Sequence, residues 1–276
     1  MDFLDLAPED TLRIYWGGKL WEEIKKVGSE IVEKQLEKKV VIDVEDLFKT
    51  YRVGDEIVRA LDGVSFKVYE GEFVAIVGTS GSGKSTLLNM MAGLEPPTKG
   101  KVVVAGKRID KMKEDQLVKL RRNKVGFIFQ SFNLIGTMNA VENVALPLMF
   151  RGVAKDVRLK KAKEMLKLVG LSKHMNHIPT QMSGGQQQRV GVARALVVNP
   201  SIIFADEPTG NLDSATTEEI LELMRKMVNE QGKTLVMVTH DKDLASVADK
   251  VIHIRDGKIK KVEVNNGKEK IENETN

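Results

Sequence analysis

One segment of this sequence restricts the possible folds more than any other. Residues Gly78–Thr86 read Gly-Thr-Ser-Gly-Ser-Gly-Lys-Ser-Thr and fit the pattern G-x-x-x-x-G-K-[ST]. The apolar run Phe73–Val77 precedes the segment and is typical of a strand buried on both faces of a parallel sheet. A helix is predicted to follow from Lys84 to Met91. The glycines therefore lie in a turn between strand and helix, which indicates an α/β fold with a phosphate-binding loop.

The residue types in this loop suit a triphosphate. Glycine lets the backbone curl until successive N–H groups point inward at an anion, and the following helix adds the positive end of its dipole. We expect Lys84 to reach the β- and γ-phosphate oxygens and the Ser85 hydroxyl to ligate Mg²⁺. The other loop residues expected to contact the nucleotide are Gly78, Thr79, Ser80, Gly81, Ser82, Gly83 and Thr86. The loop by itself predicts a nucleoside triphosphatase without saying of which kind.

Asp206 and Glu207 form the second set of candidate residues. They follow the apolar strand predicted over Ile202–Ala205, and the carboxyl ends of such strands are where ligands bind in open α/β sheets. We expect Asp206 to hold Mg²⁺ through water and Glu207 to orient or deprotonate the water that attacks the γ-phosphate. Without the loop at Gly78, a surface acid pair would be the simpler interpretation.

A second turn suited to an anion follows Met182. It comprises Ser183, Gly184, Gly185 and Gln186. This turn opens a predicted helix, whose N-terminus favours negative charge. Two such helix ends are one too many for a single nucleotide. The simplest arrangement is a head-to-tail pair of subunits, in which the Ser183 turn of each contacts the ATP on the Lys84 loop of the other, and this pair closes at two copies.

The remaining sequence divides into three parts. Residues 39–264 alternate short apolar runs with helical patterns, which indicates α/β organisation. Predicted strands in this part are Val40–Val44, Ile57–Leu61, Phe73–Val77, Val125–Phe129, Ile202–Ala205 and Leu235–Val238, and further predicted helices are Ala162–Val169, Gln186–Val198 and Thr216–Asn229. Residues 1–38 form an N-terminal extension with a helix predicted over Leu20–Lys38. Residues 265–276 are polar and predict a disordered tail.

Composition excludes several classes of protein. The chain has no cysteine, which removes disulfide scaffolds and thiolate chemistry. A net charge of +4 is too small a surplus to indicate nucleic-acid binding, and no nucleic-acid partner is expected. The sequence also lacks both an apolar run long enough to span a bilayer and the pattern of a signal peptide. We therefore expect a cytoplasmic protein that reaches a membrane only through a partner.

With these motifs in this order, the chain resembles the ATP-binding-cassette (ABC) ATPases over about residues 40–262. Gly78–Thr86 is similar to the Walker A loop of that family, and Ile202–Glu207 is similar to its Walker B strand with the catalytic glutamate. The Ser183 turn is similar to the family signature, commonly Leu-Ser-Gly-Gly-Gln, with Met182 in place of the leucine. The resemblance implies a P-loop NTPase core with a mostly parallel sheet flanked by helices. It also implies an antiparallel β subdomain and a helical signature subdomain over about residues 131–193.

The resemblance gives roles to four further residues. Tyr51 is similar to the aromatic residue that stacks on adenine, and Gln130 is similar to the glutamine that senses Mg²⁺ and couples to the membrane subunit. Asp213 is similar to part of the D-loop that crosses the dimer interface, and His240 is similar to the switch histidine that contacts the γ-phosphate. The implied cofactors are ATP and Mg²⁺. The implied catalytic residues are Glu207, His240 and Lys84.

Several segments resemble one branch of the family, the cassettes of lipoprotein-release and macrolide-export systems. These segments are Gln130–Leu134, Val141–Val144, Leu146–Leu148 and Asp206–Asp213. The branch implies two ATPase copies working on separate membrane permeases, with export or extrusion of lipoprotein, peptide or drug type cargo. Closure on ATP is expected to move the region around Gln130–Phe150, where a groove would pull on a permease helix. Importers for amino acids share much of this sequence and stay open as the alternative.

Two other classes are less favoured. DNA-repair, chromosome-organising and ribosome-bound ABC ATPases typically carry long insertions, zinc sites or two cassettes, whereas this chain has one Walker A loop and no cysteine. A regulator that no longer hydrolyses ATP conflicts with the presence of Glu207 and His240. The N-terminal helix has two open interpretations, which are docking on a partner or membrane surface and packing on its own cassette.

Overall fold

The computed structural model describes residues 39–266 and 269–274. For residues 242, 243, 266 and 269–274, only the backbone is described. The helix predicted over Leu20–Lys38 lies outside the described residues, so its two interpretations stay predictions.

Strands and helices alternate through most of the described chain. The strands are β1 (Val40–Val53), β2 (Glu56–Tyr69), β3 (Phe73–Val77), β4 (Lys99–Val104), β5 (Lys107–Arg108), β6 (Val125–Phe129), β7 (Ile202–Asp206), β8 (Thr234–Thr239), β9 (Lys250–Arg255), β10 (Lys258–Asn266) and β11 (Glu269–Glu274). The helices are α1 (Lys84–Met91), α2 (Glu114–Lys124), α3 (Ala140–Phe150), α4 (Lys155–Leu168), α5 (Gly184–Leu196), α6 (Ser214–Gln231) and α7 (Lys242–Ala245). The predicted helix Lys84–Met91 is confirmed with the same bounds, and the three other predicted helices overlap α4, α5 and α6.

The first sheet is antiparallel, with the strand order β2-β1-β4-β5. In its long hairpin, Val53 of β1 pairs with Glu56 of β2 across the turn at Gly54, whose φ of 61° lies in the left-handed region that glycine adopts readily. The strands predicted on either side of this turn are confirmed. They extend farther than their apolar runs because backbone pairing continues through polar residues such as Lys49.

The second sheet has the order β11-β10-β9-β3-β8-β7-β6. Strands β9, β3, β8, β7 and β6 are parallel to their neighbours, and β10 and β11 continue the sheet in antiparallel pairing. Helices connect the parallel strands, because a two-residue turn can join only antiparallel ones. The predicted α/β class, with a mostly parallel core sheet and an antiparallel β sheet beside it, is confirmed.

Strand β3 is buried on both faces, and successive residues enter two different cores. Phe73, Ala75 and Val77 pack in the core that contains the buried residues of helices α3 to α6. Val74 and Ile76 point to the opposite face, into the core shared with α1 and the antiparallel sheet. This period of two follows from strand geometry and explains why the run is continuously apolar. Among the described residues no helix is long and apolar enough to cross a membrane.

Within residues 265–276, for which the composition predicts a disordered tail, the structure describes paired strands. Strand β10 continues to Asn266, and β11 pairs with it in antiparallel register, with Val264 opposite Ile271. A backbone ladder stabilises this pairing whatever the side chains are, so the polar composition of the segment misleads.

Candidate active site

Four of the predicted site residues follow directly after four neighbouring strands. The parallel register pairs Phe129 with Asp206, Asp206 with Val238, and Val77 with Thr239, so the carboxyl ends of these strands lie side by side. The residues that follow the four strands β6, β7, β8 and β3 are Gln130, Glu207, His240 and Gly78. The fold therefore brings together at one sheet edge residues that are far apart in the sequence.

The phosphate-loop backbone curls tightly between β3 and α1. Gly83 precedes α1 with φ of 99°, and a Cβ atom there would lie 2.3 Å from the carbonyl oxygen of Ala60. At Gly78 a Cβ would lie 2.2 Å from the carbonyl oxygen of Ile254 and 2.5 Å from Ser82 Oγ. Only glycine fits at either position, which explains the Gly-rich sequence. The curled backbone and the N-terminus of α1 together form a cradle of N–H groups that fits an anion.

Lys84 supplies a buried positive charge in this cradle. Its side chain is largely hidden, with the residue 5% exposed, and its Nζ donates a hydrogen bond to the carbonyl oxygen of Thr79 at 2.9 Å. No carboxylate among the described residues forms an ion pair with it. A buried ammonium group is costly without an anionic partner, and a polyphosphate would provide one. The loop residues therefore fit the predicted nucleotide.

Ser85 and Asp206 meet across the site as predicted for residues that share a metal ion. The Ser85 hydroxyl donates to Asp206 Oδ1 at 3.2 Å. Burial raises the pKa of Asp206, assisted by Glu207 and opposed by the Ser85 hydrogen bond and the charge of Lys84. A hydroxyl and a single carboxylate are oxygen donors of the kind that hold Mg²⁺ together with substrate phosphates. These two residues therefore fit Mg²⁺.

Glu207 and His240 are in contact at the ends of β7 and β8. His240 Nδ1 lies 3.2 Å from Glu207 Oε2, with the carboxylate mostly shielded and the imidazole largely exposed. The Glu207 N–H donates to the carbonyl oxygen of Val238 at 2.9 Å, and its φ of 44° lies in the left-handed region. Such a conformation is strained for glutamate and persists where the surrounding structure enforces it, often at active sites. The residue with this strained backbone is thus the one whose carboxylate contacts His240.

Tyr51 lies near the end of the phosphate loop. Burial raises the pKa of Tyr51, opposed by an interaction with Thr86 and assisted by Glu95, so the tyrosine is brought next to the last loop residue. Its hydroxyl donates to Glu95 Oε2 at 2.9 Å, and Lys49 Nζ lies 5.1 Å from the ring centroid. A cation thus lies over the ring, and the stacking of Tyr51 on adenine stays a prediction.

The Ser183 turn is well ordered by a reciprocal pair of hydrogen bonds. Ser183 Oγ accepts from the Gln186 N–H at 3.3 Å, and Gln186 Oε1 accepts from the Ser183 N–H at 3.1 Å, which is a capping box. A Cβ at Gly185 would lie 2.4 Å from Thr216 Cγ2, so the turn packs closely on α6. The nearest contacts for a Cβ at Gly184 are ordinary ones, including Leu212 at 3.6 Å. These partners belong to the segment around α6 and to Phe132, and none of them belongs to the phosphate loop of the same chain.

Gln130 contacts the loop that connects β7 to α6, and Asp213 is the last residue of that loop. A Cβ at Gly210 would lie 2.7 Å from Gln130 Nε2, and Asn211 Nδ2 donates to the carbonyl oxygen of Gln130 at 3.1 Å. At the end of this loop, Asp213 caps α6. It accepts hydrogen bonds from the Thr216 N–H at 3.0 Å and the Thr216 hydroxyl at 2.8 Å. These two bonds lower the pKa of Asp213. In the single chain Asp213 therefore has a capping role, and its predicted role at a dimer interface needs a second copy.

Several residues around the site carry no sequence signal. His174 Nε2 lies 3.3 Å from Gln186 Nε2, and Glu95 binds the Tyr51 hydroxyl. A cleft of about 870 Å³ beside Gly78 is lined in part by His253, Arg255 and Lys260. These residues come from other elements and follow no motif, so only the three-dimensional packing reveals them.

The geometry described above is that of a P-loop nucleoside triphosphatase. A sequence profile described as ABC transporter matches residues 61–210. The chain therefore belongs to the ABC transporter family, and it is an ABC ATPase, so the predicted family, fold class and activity are confirmed.

Known relatives place it more closely. An uncharacterized ABC transporter ATP-binding protein of Thermotoga maritima is 51% identical over 225 residues, covering 82% of this chain and 96% of that protein. The macrolide export ATP-binding/permease protein MacB of Chlorobaculum tepidum is 48% identical over 217 residues, which cover 79% of this chain and 33% of MacB. The dimeric structure of a post-hydrolysis state of the ATP-binding cassette MJ0796 bound to ADP and Pi matches with a TM-score of 0.77 and 46% identity. That match covers 82% of this chain and 99% of the MJ0796 chain.

Proposed function

We propose that two copies of this chain close head to tail on two ATP molecules and hydrolyse them to drive a separate membrane permease. Each ATP would lie between Gly78–Thr86 of one copy and the Ser183 turn of the other. The contacts of that turn support this arrangement, because within one chain it packs on α6 and leaves Gly184 without a tight neighbour. The dimer reported for MJ0796 bound to ADP and Pi is a precedent in a related protein.

The observation that carries the catalytic proposal is the contact between Glu207 and His240 beside the phosphate loop. Glu207 would orient the attacking water and accept its proton, while His240 would contact the γ-phosphate and Lys84 would neutralise charge on the β- and γ-phosphate oxygens. Ser85 and Asp206 would hold Mg²⁺, with Gln130 completing its surroundings. The metal ion, when bound, neutralises charge that develops on the transferred phosphoryl group.

Glu207→Gln tests this assignment, because the amide keeps the size of the side chain and removes the base. We expect ATP turnover to fall by at least about 100-fold and a dimer to accumulate with saturating ATP, measured by phosphate release and by light scattering. Glu230→Gln is the matched control, since Glu230 is exposed near the end of α6, away from the site. A Glu207→Gln protein that stays monomeric and hydrolyses ATP at the normal rate would refute the assignment.

A groove between α2, β6, α3 and α5 supports the permease proposal. It has a volume of about 540 Å³ and a mostly apolar floor that includes Phe127, Pro147 and Ala195. Phe150 at its edge is 66% exposed and extends the apolar lining of the groove to the protein surface. The side chains of Arg122 and Arg194 add positive charge. A short amphipathic permease helix with an acidic residue would complement this groove.

Affinity capture of the tagged chain from detergent-solubilised native membranes, followed by mass spectrometry, tests the partner. A four-helix permease with a large extracytoplasmic domain would support the export branch, and a permease with a solute-binding protein would move the proposal to import. Recovery of no membrane protein would favour the non-transport alternative. Phe150→Asp should abolish capture of the permease while ATP hydrolysis by the isolated chain continues, because Phe150 lies on the groove and not in the nucleotide site.

We infer the export branch from the similarity to MacB, which is a macrolide export protein by name. The chain spans about a third of MacB, so a separate permease chain would supply the remainder. The expected cargo is of lipoprotein, peptide or drug type, and the expected location is the inner face of the cell membrane. An amino-acid type importer is the second candidate, distinguished by the capture experiment.

A further inference from the structure

Helix α4 exposes a face that combines lysines with large apolar side chains. Ala162 and Leu166 are fully buried and fix the opposite side of the helix against the protein. The exposed side comprises Val157, Lys160, Lys161, Glu164, Lys167 and Leu168, which we call the α4 basic face. Their spacings of four and seven residues bring them onto neighbouring positions around the helix.

The lysines of the α4 basic face carry free charges. Among the described residues, no carboxylate forms an ion pair with Lys160, Lys161 or Lys167. Some lysines elsewhere are paired, as Lys226 is with Glu222 at 2.8 Å and Lys101 is with Glu45 at 2.8 Å. With three lysines and one glutamate, the face keeps a surplus of two positive charges, which an anionic surface attracts.

The positive charge of the chain is concentrated in this region. Residues 151–173 contain eight basic and two acidic side chains, whereas the entire chain has a net charge of +4. The rest of the sequence is therefore slightly acidic. The basic surplus belongs to one part of the helical region and does not spread over the whole surface.

The apolar members of the face distinguish it from an ordinary solvated helix surface. Leu168 is 69% exposed and Val157 is 41% exposed, both between the lysines. Helices that lie at membrane surfaces combine basic residues with apolar side chains that enter the headgroup region. A nucleic-acid backbone would attract the lysines but would gain little from the leucine and the valine.

We propose that the α4 basic face contacts the anionic phospholipid headgroups of the membrane that carries the permease. The helix that carries the face follows the groove closely along the chain, because the exposed Phe150 ends α3 and only residues 151–154 separate it from Lys155. The proposal rests on the proposed function in one respect, which is that the permease brings this side of the chain to the bilayer. Vesicle binding tests the lipid contact separately from ATP hydrolysis and from permease capture.

The experiment measures cosedimentation of the full chain with phosphatidylcholine vesicles that contain or lack phosphatidylglycerol, at low and high salt. We expect binding only to the anionic vesicles and a decrease at high salt. K160Q/K161Q/K167Q should lower the partition coefficient by about fivefold per lysine, on the order of 100-fold in all. The control K107Q/K111Q/K113Q removes the same charge from exposed lysines near β5 and should leave binding nearly unchanged.

A second variant, V157T/L168S, keeps every charge and removes the apolar part of the face. It should lower binding by about tenfold through the lost burial of the two side chains. ATP turnover should stay normal in both α4 variants, whereas Glu207→Gln should lose turnover and keep vesicle binding. Equal losses in the α4 and control triple variants would overturn the proposal, and so would binding to RNA without binding to anionic vesicles.

Discussion

Replacement of Gly185 by alanine tests how closely the Ser183 turn is packed on helix α6. A Cβ at this position would lie 2.4 Å from Thr216 Cγ2, whereas carbon atoms in contact prefer a separation of about 3.5–4.0 Å. Thr216 cannot easily rotate away, because its hydroxyl and its N–H both donate hydrogen bonds to Asp213. The two atoms must therefore move apart by more than about 1 Å, and the turn or the α6 cap must shift.

The expected magnitude follows from two opposing effects. Overpacking of this kind costs about 1–3 kcal/mol, and alanine gains up to about 1 kcal/mol over glycine inside a helix. A net loss of about 1–2 kcal/mol corresponds to a melting temperature lower by roughly 2–8 °C for a domain of this size. ATP-driven dimerisation should also weaken, because the shifted cap is that of Asp213, the residue proposed to cross the interface.

A double-mutant cycle with Thr216→Ser identifies the cause. Serine removes Cγ2 and keeps the hydroxyl that binds Asp213, so the Gly185→Ala cost should fall by about 1 kcal/mol or more in the Thr216→Ser background. Gly184→Ala is the matched control, since its Cβ would meet Leu212 at an ordinary 3.6 Å and should leave the melting temperature unchanged or higher. A Gly185→Ala protein as stable as the unaltered chain, with no coupling to Thr216, would refute the packing argument.

Three further variants test other contacts of the site. Asp206→Asn should raise the melting temperature at pH 7 in chelator, because burial raises the pKa of Asp206 above its ordinary value. The folded state then loses stability as the pH rises from the ordinary pKa through the raised one, and the amide avoids this loss, so the two melting temperatures should converge in acid. Arg194→Lys should reduce permease-stimulated ATP turnover more than basal turnover. Arg194 Nη2 donates to the carbonyl oxygen of Phe132 at 2.7 Å, and Nη1 donates to that of Asn133. A lysine cannot reproduce this double contact. His174→Phe should weaken ATP-driven dimerisation roughly threefold to tenfold, measured by light scattering, because the ring nitrogen that faces the Gln186 amide is lost. His174→Asn should keep most of the dimerisation.

The sequence predicts the part of the site that strand geometry controls. Gly78, Glu207 and His240 each follow an apolar run, and the carboxyl ends of parallel strands meet at one edge of a sheet. No fine packing is needed for that inference, because the order of strands and loops along the chain is enough. The same reasoning correctly gives the helix from Lys84 and the class of the fold.

Contacts between distant side chains could not be predicted in this way. The partner of Tyr51 is Glu95, and the neighbour of Gly185 is Thr216, each on a different element. These pairs depend on how whole elements pack, and neither residue type is unusual at its position. The pairing of β10 with β11 could not be predicted for the opposite reason. A backbone ladder forms there although the side-chain composition indicates none. Single-sequence patterns record the burial of each element better than they record its partners.

Helix α5 connects the Ser183 turn, which is proposed to contact the nucleotide of the other copy, with the proposed permease groove. Its N-terminus carries the Ser183 turn, and Arg194, near its other end, holds the turn at Phe132 that follows Gln130. The helix has 13 residues and is therefore about 20 Å long. Buried Gln188, on the same helix, donates to the carbonyl oxygen of Pro208, directly after Glu207. In the proposed dimer, a displacement of the turn when ATP binds or is hydrolysed would therefore move Arg194 and the groove that it lines, because a packed helix transmits displacement as a rigid element.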